Sequence, residues 1–147
     1  MDREIHLEND IIRDPCTTRD ELLTVMTRLL RNRIEHLPPG RLYQAILQRE
    51  KQCPTVVNPT LAIPHAKLGD IRDFNLALAI CRDGVEFAPG QRINLVCMIV
   101  GPADCQKQYL DVLALLLRFF QEKGSKILKS KDSDILKMMN IAIRSLK

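Results

Sequence analysis

A histidine that directly follows a proline at the end of an apolar run is the feature of this sequence best suited to chemistry. Residues 61–67 read LAIPHAK. A proline fixes its own φ, supplies no backbone donor and favours an extended conformation in the residue before it. We therefore expect a strand to stop at Pro64 and to present His65 at the edge of a sheet, where open α/β sheets commonly bind ligands. A neutral imidazole near pH 7 is a competent nucleophile and can carry a covalent intermediate.

Few other residues have the types and spacing of a reactive site. His6 and His36 have no sequence neighbour that suggests a pair of ligands, so each is predicted to be a surface imidazole. No His-x-x-x-His spacing, glycine-rich phosphate loop or Gly-x-Ser-x-Gly elbow occurs. The five cysteines show no Cys-x-x-Cys spacing, which argues against a disulfide framework or a zinc site. A Cys–His pair with His65 stays open, although no cysteine has the context of a nucleophile. Neither a metal nor a cofactor is expected.

Two helices are predicted before the histidine. Thr18 and Glu21 have the spacing of a capping box, and apolar residues follow at helical spacing as far as Leu30. The Pro-Pro-Gly run at 38–40 breaks the chain. A second helix is predicted over residues 41–51, with its apolar side chains on neighbouring turns.

The middle of the chain has the pattern of strands. Residues 55–63 contain two short extended pieces, and residues 75–80 alternate, with large aliphatic side chains on one face and alanines on the other. Asp83-Gly84 predicts a turn, after which residues 85–87 form the arm of a short hairpin. Residues 93–100 are almost continuously apolar, which suits a central strand covered on both faces.

Two further helices are predicted after the strands. Gly101-Pro102 ends the central strand, and Asp104 is expected to cap a helix that carries apolar residues up to Phe120. The last helix is predicted over residues 133–143. The order of helix, helix, strands, helix and helix predicts an α/β fold with a single mixed β-sheet flanked by helices on both faces. A doubly wound fold would alternate strands and helices more strictly.

Length and composition fit one domain over residues 1–147. Apolar residues make up 46% of the chain and charged residues 27%, which is typical of a globular protein with a proper core. No apolar run is long enough to span a bilayer, and the charged N-terminus lacks the apolar core of a signal peptide. We therefore expect a cytoplasmic protein without membrane insertion.

Basic residues are concentrated at the C-terminal end of the chain. Residues 123–147 hold seven Lys or Arg and two Asp, whereas residues 1–122 hold fifteen basic and sixteen acidic residues. The basic side chains alternate with apolar ones, as on the solvated face of an amphipathic helix, and no aromatic residue lies there to stack on a base. A nucleic-acid partner is therefore not expected.

The stretch around His65 resembles the active-site region of type-2 enzyme IIA domains of the phosphoenolpyruvate-dependent phosphotransferase system (PTS), in its fructose, mannitol and nitrogen group. Arg49-Glu50, Thr55 and residues 62–68 carry this resemblance. It extends over nearly the whole chain and includes the capped first helix, the central apolar strand and the helix start at Tyr109. The family fold, a mixed sheet flanked by helices, agrees with the fold predicted above.

The resemblance implies a phosphoryl carrier of the phosphotransferase system. His65 would accept phosphate from the phosphocarrier protein HPr, or from its nitrogen-branch equivalent, and pass it to a IIB domain or keep it as a regulatory mark. Arg49 and Thr55 match the family's arginine and threonine, and would offer a guanidinium fork and a hydroxyl or backbone donor to the phosphoryl oxygens. The other ring nitrogen of His65 should donate to a carbonyl or carboxylate. Since no IIB or IIC segment is fused to the chain, the regulatory nitrogen branch is favoured over a dedicated sugar transporter.

Two departures from the family pattern leave the transfer itself open. Where the family usually has a second active-site histidine, this sequence has Tyr109, whose phenol donates a hydrogen bond but accepts a proton poorly near pH 7. Tyr109 would then support phospho-His65 or act as a packing residue. Between Thr55 and Leu61 other residues replace the family's glycines, so a stiffer loop is expected, with Asn58 partly replacing the positive φ of glycine. The alternative function is a transfer-impaired, non-enzymatic binding module with the same fold and regulatory proteins as partners.

Overall fold

The computed structural model describes residues 2–15, 18–38 and 40–146, and within them seven strands form one sheet with four helices packed against it. Cys16, one of the five cysteines, and Pro39, part of the predicted chain break, lie outside the described residues. The strands are β1 (Ile5–Leu7), β2 (Ile12–Arg13), β3 (Val56–Asn58), β4 (Leu61–Ala62), β5 (His65–Leu68), β6 (Phe74–Ala88) and β7 (Gln91–Pro102). The helices are α1 (Arg19–Arg31), α2 (Arg41–Gln52), α3 (Gln106–Ile127) and α4 (Asp132–Arg144). In this part of the chain, no helix combines the length and apolar character that crossing a membrane requires.

The sheet is mixed, as predicted. Strands β6 and β7 are its long antiparallel centre, β1 and β2 run parallel to β6 on one side, and β4 and β5 run parallel to β7 on the other. β3 pairs antiparallel with β4 at the outer edge. The order β1-β6-β7-β4-β3, with β5 also on β7, places His65 directly beside the central strand.

Helices cover both faces of the sheet, which confirms the predicted architecture. α1 and α2 bury Leu23 and Ile46 against one face, and α3 and α4 bury Leu116 and Met139 against the other. The central strand supplies both cores, because its side chains alternate between the two faces. The alternating residues of β7 are Val96, Met98 and Val100 on the face of α1 and α2, and Leu95, Cys97 and Ile99 on the other.

Of the two predicted helix caps, one is confirmed and one is wrong. The amide of Glu21 donates to Thr18 Oγ1 at 3.3 Å, immediately before α1. Asp104 does not cap α3, since the residue at the cap position is Cys105, which makes no side-chain capping bond. The Asp104 carboxylate instead accepts a hydrogen bond from the Arg3 guanidinium at 2.9 Å. Asp104 therefore pairs with Arg3, which is distant in sequence, and not with the backbone amides of the first turn of α3.

The turn predicted at Asp83-Gly84 is wrong. β6 continues through both residues, and its pairing with β7 shifts register between Ile80 and Val85. Gly84 has a φ of 82°, a conformation that glycine adopts without steric cost. The chain reverses later, at residues 89–90, between β6 and β7. A β-bulge with a glycine at positive φ gives the same sequence signal as a turn.

Pro64 separates two short strands, β4 and β5, which both pair with β7. β4 stops at Ala62, and β5 begins directly after the proline, with His65 opposite Ile99 of β7. The carbonyl of Pro64 accepts a hydrogen bond from the Ile99 amide at 2.9 Å, so the chain stays in register with β7. The first strand thus stops before Pro64, as predicted, but His65 is the first residue of a new strand, which the sequence did not indicate.

Asn58 closes the loop between β3 and β4 with its side chain. Its Oδ1 accepts hydrogen bonds from the Thr60 amide at 2.9 Å and from the Thr60 hydroxyl at 3.0 Å. Asp14 is the one non-glycine residue with a positive φ in the described ranges, so the expectation that Asn58 replaces glycine in that conformation is wrong.

Candidate active site

His65 is held by a hydrogen bond to the backbone two residues before it. Its Nδ1 lies 2.7 Å from the carbonyl oxygen of Ile63. Because a carbonyl can only accept, Nδ1 carries the proton and Nε2 keeps its lone pair. No group of the described residues hydrogen-bonds to Nε2. The Ile63 carbonyl is thus the partner that the sequence left open between a carbonyl and a carboxylate, and Nε2 is the ring nitrogen whose lone pair is free.

Burial lowers the pKa of His65 below its ordinary value of 6.5. The hydrogen bond to Ile63 and the charge of Glu50 act in the opposite direction, whereas the positive charges of Arg49 and Lys67 lower this pKa further. Since the net shift is downward, the imidazole is neutral at pH 7. A neutral ring with a free nitrogen is the reactive form of a histidine nucleophile.

His65 borders a basic pocket of about 680 Å³ formed by α2, β5 and the start of α3. Three cationic side chains line it, Arg41, Arg49 and Lys67, and no acidic side chain occurs among its described lining residues. The pocket therefore favours an anionic group next to the imidazole. Neutral donors come from three glutamines of α2, which are Gln44, Gln48 and Gln52.

Arg49 lies in the last turn of α2 and borders the same pocket as His65. Its Nη1 donates to the carbonyl of Cys53 at 2.9 Å, which holds one side of the guanidinium at the C-terminal end of the helix. The other N–H groups have no hydrogen-bond acceptor among the described residues. The structure thus brings together the arginine and the histidine that the sequence singled out, with guanidinium donors free for a ligand.

Thr55 supports the segment of His65 and does not border the pocket. It is buried, and both its amide, at 3.2 Å, and its hydroxyl donate to the carboxylate of Glu50. The Thr55 carbonyl accepts a hydrogen bond from the Ile63 amide at 3.0 Å. These bonds connect α2 through Thr55 and Ile63 to the ring of His65. The donors that the sequence assigned to phosphate are therefore engaged by Glu50.

Tyr109 lies beside His65, in the first turn of α3. Its ring centroid is 6.1 Å from that of His65 and 5.9 Å from that of Phe74, and Lys67 Nζ lies 5.0 Å from it. The residue is only 2% exposed, and its hydroxyl has no hydrogen-bond partner in the described part of the chain. Burial raises the pKa of this phenol well above its usual value, so the hydroxyl stays protonated. A buried donor without an acceptor is costly, and a ligand oxygen could complete its hydrogen bonding.

The other two histidines lie away from this pocket. His36 is exposed, as predicted, and its Nε2 lies 2.7 Å from the carbonyl oxygen of Asp70. His6 is half-buried, and the fold brings it next to Glu4 and Asp73. The expectation that His6 has no neighbour to form a pair of ligands is wrong, because Glu4 stands two residues before it and the pairing of β1 with β6 brings Asp73 close.

The sequence model of one protein family, described as "Phosphoenolpyruvate-dependent sugar phosphotransferase system, EIIA 2", matches residues 4–140. This match covers well over half of the chain. The chain belongs to this family. Its function is accordingly of the EIIA type, that of a phosphocarrier or regulatory component of the PTS.

Relatives of this EIIA chain include both a sugar component and nitrogen regulatory proteins. The "PTS system fructose-specific EIIABC component" of Bacillus subtilis (strain 168) is 30% identical over 122 residues, which are 80% of this chain and 18% of that protein. The "Nitrogen regulatory protein" of Escherichia coli (strain K12) is 29% identical over 114 residues, 74% of this chain and 68% of the relative. The chain thus spans less than a fifth of the fructose component and about two thirds of the nitrogen protein.

Solved EIIA structures share the fold. The nitrogen regulatory protein IIA-Ntr from Neisseria meningitidis has a TM-score of 0.77 at 22% identity, covering 90% of this chain and 92% of that one. IIA mannitol from Escherichia coli has a TM-score of 0.71 at 18% identity, covering 88% and 95%. These likenesses confirm the predicted fold of a mixed sheet flanked by helices.

Two residues of the site, Glu50 and Lys67, lie within the motif but were assigned no role from the sequence, although each gives a signal. Glu50 follows Leu42 and Ile46 at a spacing of four, on the buried face of α2, so a charged side chain on that stripe indicates a buried interaction. Lys67 stands two residues after His65, and strand alternation puts both side chains on one face of β5. Because no strand was predicted after Pro64, Lys67 could not be placed on the same face as His65 from the sequence.

Proposed function

We propose that the chain accepts a phosphoryl group on Nε2 of His65 from an HPr-type phosphocarrier and then passes it to a IIB domain or keeps it as a regulatory signal. The observation that carries this proposal is the 2.7 Å bond from Nδ1 to the Ile63 carbonyl, in a pocket lined by cations. This bond leaves Nε2 unprotonated, and the lowered pKa keeps the ring neutral at pH 7. Both conditions are required of a nitrogen that attacks phosphorus.

The proposed phosphoryl transfer requires mainly that positively charged groups be positioned around the phosphoryl oxygens. The bond from phosphorus to the donor's histidine breaks as the bond to Nε2 forms, and the proton stays on Nδ1, where the Ile63 carbonyl stabilises the positive charge that the ring gains. The free N–H groups of Arg49 hold the phosphoryl oxygens, and Lys67 adds positive charge around them. Arg41 also borders the pocket, but its guanidinium pairs with the carboxylate of Asp70 at 3.3 Å and therefore contributes less. In-line transfer between two imidazoles asks for no further covalent help.

Thr55 and Tyr109 have different roles in this proposal. Thr55 acts as a positioning residue, because its bonds to Glu50 and Ile63 hold the backbone that fixes the ring of His65. Tyr109 donates its otherwise unpartnered hydroxyl to one phosphoryl oxygen. A neutral phenol can supply that single hydrogen bond, but it does not take up a proton as a second imidazole would.

The surface around the pocket suits a protein partner. Leu110 is exposed and Leu113 half-buried, and both border the pocket, so an apolar contact surface adjoins the basic site. A IIB partner is supported by a structural neighbour described as a complex of IIA mannitol and phosphorylated IIB mannitol from Escherichia coli, which has a TM-score of 0.73 at 17% identity and covers 91% of this chain and 98% of that one.

The test is to incubate the purified chain with phosphoenolpyruvate, enzyme I and HPr, general or nitrogen-branch, and to measure its intact mass. An acid-labile increase of about 80 Da is expected for the wild type. The increase should be absent in His65→Ala and retained in His36→Ala, a matched control that removes an exposed imidazole outside the pocket. No increase in any protein, or an increase that survives His65→Ala, contradicts the proposal.

A transfer-impaired regulatory module is the second candidate, and Tyr109 is the observation that favours it. The raised pKa of its buried phenol excludes proton uptake at the position where the family has a second histidine. In that case the wild type is not phosphorylated, whereas binding to a regulatory partner is equal for the wild type, His65→Ala and His65→Asp. Phosphorylation of the wild type on His65 would reject this candidate.

A further inference from the structure

A second cluster of ligating side chains lies at β1, on the far side of the sheet from β5. His6 Nε2 is 3.1 Å from a carboxylate oxygen of Asp73 and 3.9 Å from one of Glu4. These ligand atoms all lie within 4.8 Å of one another. One imidazole nitrogen with two carboxylates is a donor set that binds divalent transition metals, zinc in particular.

Parallel pairing of β1 with β6 builds this cluster. His6 lies directly opposite Asn75, so the two side chains stand next to each other on one face of the sheet. Glu4 and Asp73 each precede these residues by two positions, the spacing that returns to the same face of a strand. The Phe74 amide donates to the Glu4 carbonyl at 2.9 Å, so the pairing extends as far as the acidic residues.

Asn75 gives an independent indication that the cluster holds a ligand. The residue is only 4% exposed, and its Nδ2 donates to the Asp73 carbonyl at 3.2 Å. Its Oδ1 is buried and has no hydrogen-bond partner in the described ranges. Asn75 lines the same cavity, of about 130 Å³, as His6 and Asp73. A buried acceptor without a donor points to a bound water or ion.

The charges around the cavity favour a cation over an anion. Arg33 borders it, but its guanidinium donates to the carboxylate of Glu8 at 2.8 Å and is thereby neutralised. Arg72 is exposed and contributes one further positive charge. Asp73 borders the cavity and Glu4 lies beside it, so their two carboxylates together outweigh that charge, and the His6 ring offers a nitrogen ligand.

We propose that His6, Asp73 and Glu4 bind a divalent transition-metal ion of the zinc type, and that Asn75 Oδ1 accepts a hydrogen bond from a water on that ion. None of these residues borders the pocket of His65, so this site does not depend on the proposed phosphoryl transfer.

The ion would fasten the N-terminal strand to the centre of the sheet. Next to the cluster, the Arg3 amide donates to Gln108 Oε1 at 2.8 Å, and Gln108 Nε2 donates to the Arg3 carbonyl at 2.7 Å. The segment that carries Glu4 and His6 is thus also bonded to the first turn of α3. Metal binding at β1 therefore stabilises the contact between this strand, β6 and α3.

The test is calorimetric titration of the metal-free full-length chain with Zn²⁺. One ion per chain is expected, and the binding event should disappear in His6→Ala and in Asp73→Asn. Asn75→Ser should weaken binding by about tenfold to a hundredfold, as for other residues that act through a metal-bound water. His36 borders the same cavity but does not belong to the cluster, and its Nε2 lies 2.7 Å from the Asp70 carbonyl oxygen. His36→Gln is therefore the control and should bind zinc as the wild type does.

Two further readouts separate this site from cysteine binding and from misfolding. Co²⁺ in place of zinc should give a spectrum without a thiolate charge-transfer band, because no cysteine belongs to the cluster. Zn²⁺ should raise the melting temperature of the wild type but not of His6→Ala, while the two proteins melt similarly in EDTA. No zinc binding, binding that is unchanged in His6→Ala, or a thiolate band would overturn the proposal.

Discussion

At the scale of single residues, the proposed chemistry depends on a neutral His65. The pKa of this imidazole is below its ordinary value of 6.5, mainly because of burial, so the unfolded chain takes up the proton first as the pH falls. The stability associated with the neutral ring is fully present above about pH 6.5 and is lost as the pH falls through the lowered pKa. Between about pH 7 and about pH 5, the free energy of unfolding should therefore fall more steeply in the wild type than in His65→Gln. Urea denaturation at both pH values measures this, and equal losses would contradict the lowered pKa.

A catalytic role of Tyr109 can be distinguished from a packing role by Tyr109→Phe, which removes only the hydroxyl group. If its hydroxyl contacts the phosphoryl group, Tyr109→Phe should slow phosphorylation of His65, or shorten the lifetime of the product, by about tenfold to a hundredfold. The same change should leave the free energy of unfolding unaltered or raise it slightly, because it removes a buried donor that has no described acceptor. Unchanged phosphorylation kinetics would reassign Tyr109 to packing. Tyr109→His, which restores the family pattern, is the complementary variant.

At the scale of elements, the end of β7 must approach both β6 and α3 closely. A Cβ atom at Gly101 would lie 2.6 Å from ring atoms of Phe74 and 3.0 Å from Cδ2 of Tyr109. Gly101→Ala should therefore displace both rings, lower the free energy of unfolding by about 1–3 kcal/mol and slow phosphorylation. Chemical denaturation and the mass assay measure the two effects.

A glycine within α3 provides the control for this substitution. A Cβ atom at Gly124 would lie 3.5 Å from Leu95, an ordinary contact distance. Gly124→Ala should stabilise the chain by about 0.5–1 kcal/mol through helix propensity alone. If Gly101→Ala were as stable as the wild type, the close approach of β7 to the two rings would not constrain the site.

Elements with a strong hydrophobic periodicity could be predicted from the sequence. The outcome at strand breaks marked only by a glycine or a proline could not. The cap at Thr18 and the strand at 93–100 follow from local patterns, and both are present. Asp83-Gly84 and Pro64 are breaks whose outcome is decided by pairing with β7, which extends the strand across the first and restarts it after the second. Local sequence does not contain that pairing.

In the candidate site, too, some features could be predicted from the motif and others depend on tertiary packing. The motif placed His65 and Arg49 together, and the structure agrees. It could not show that Thr55 gives its donors to Glu50, because that depends on how α2 packs against the segment before β4. Asp73 likewise becomes a neighbour of His6 only through the parallel pairing of β1 with β6.

At the scale of the whole molecule, the proposed phosphoryl transfer requires a second protein to dock over the pocket. Leu110 is 53% exposed at the pocket, and Ile141 is 60% exposed on α4, outside it. Leu110→Ser should slow phosphorylation about fivefold at low HPr concentration and much less at saturation, because an apolar contact with the donor is lost. Ile141→Ser is equally exposed and should have no effect. Initial rates over a range of HPr concentrations make the comparison, and equal rates for the two variants would place the docking surface elsewhere.

The measurement that tests the central claim most directly is NMR of the isotope-labelled ring nitrogens of His65, before and after phosphorylation. We predict a proton on Nδ1 in the free chain, as the bond to the Ile63 carbonyl requires. After phosphorylation we predict coupling to phosphorus at Nε2, with Nδ1 still protonated. Phosphorus on Nδ1, a phosphoryl group on another residue, or a free ring protonated at Nε2 would contradict the account.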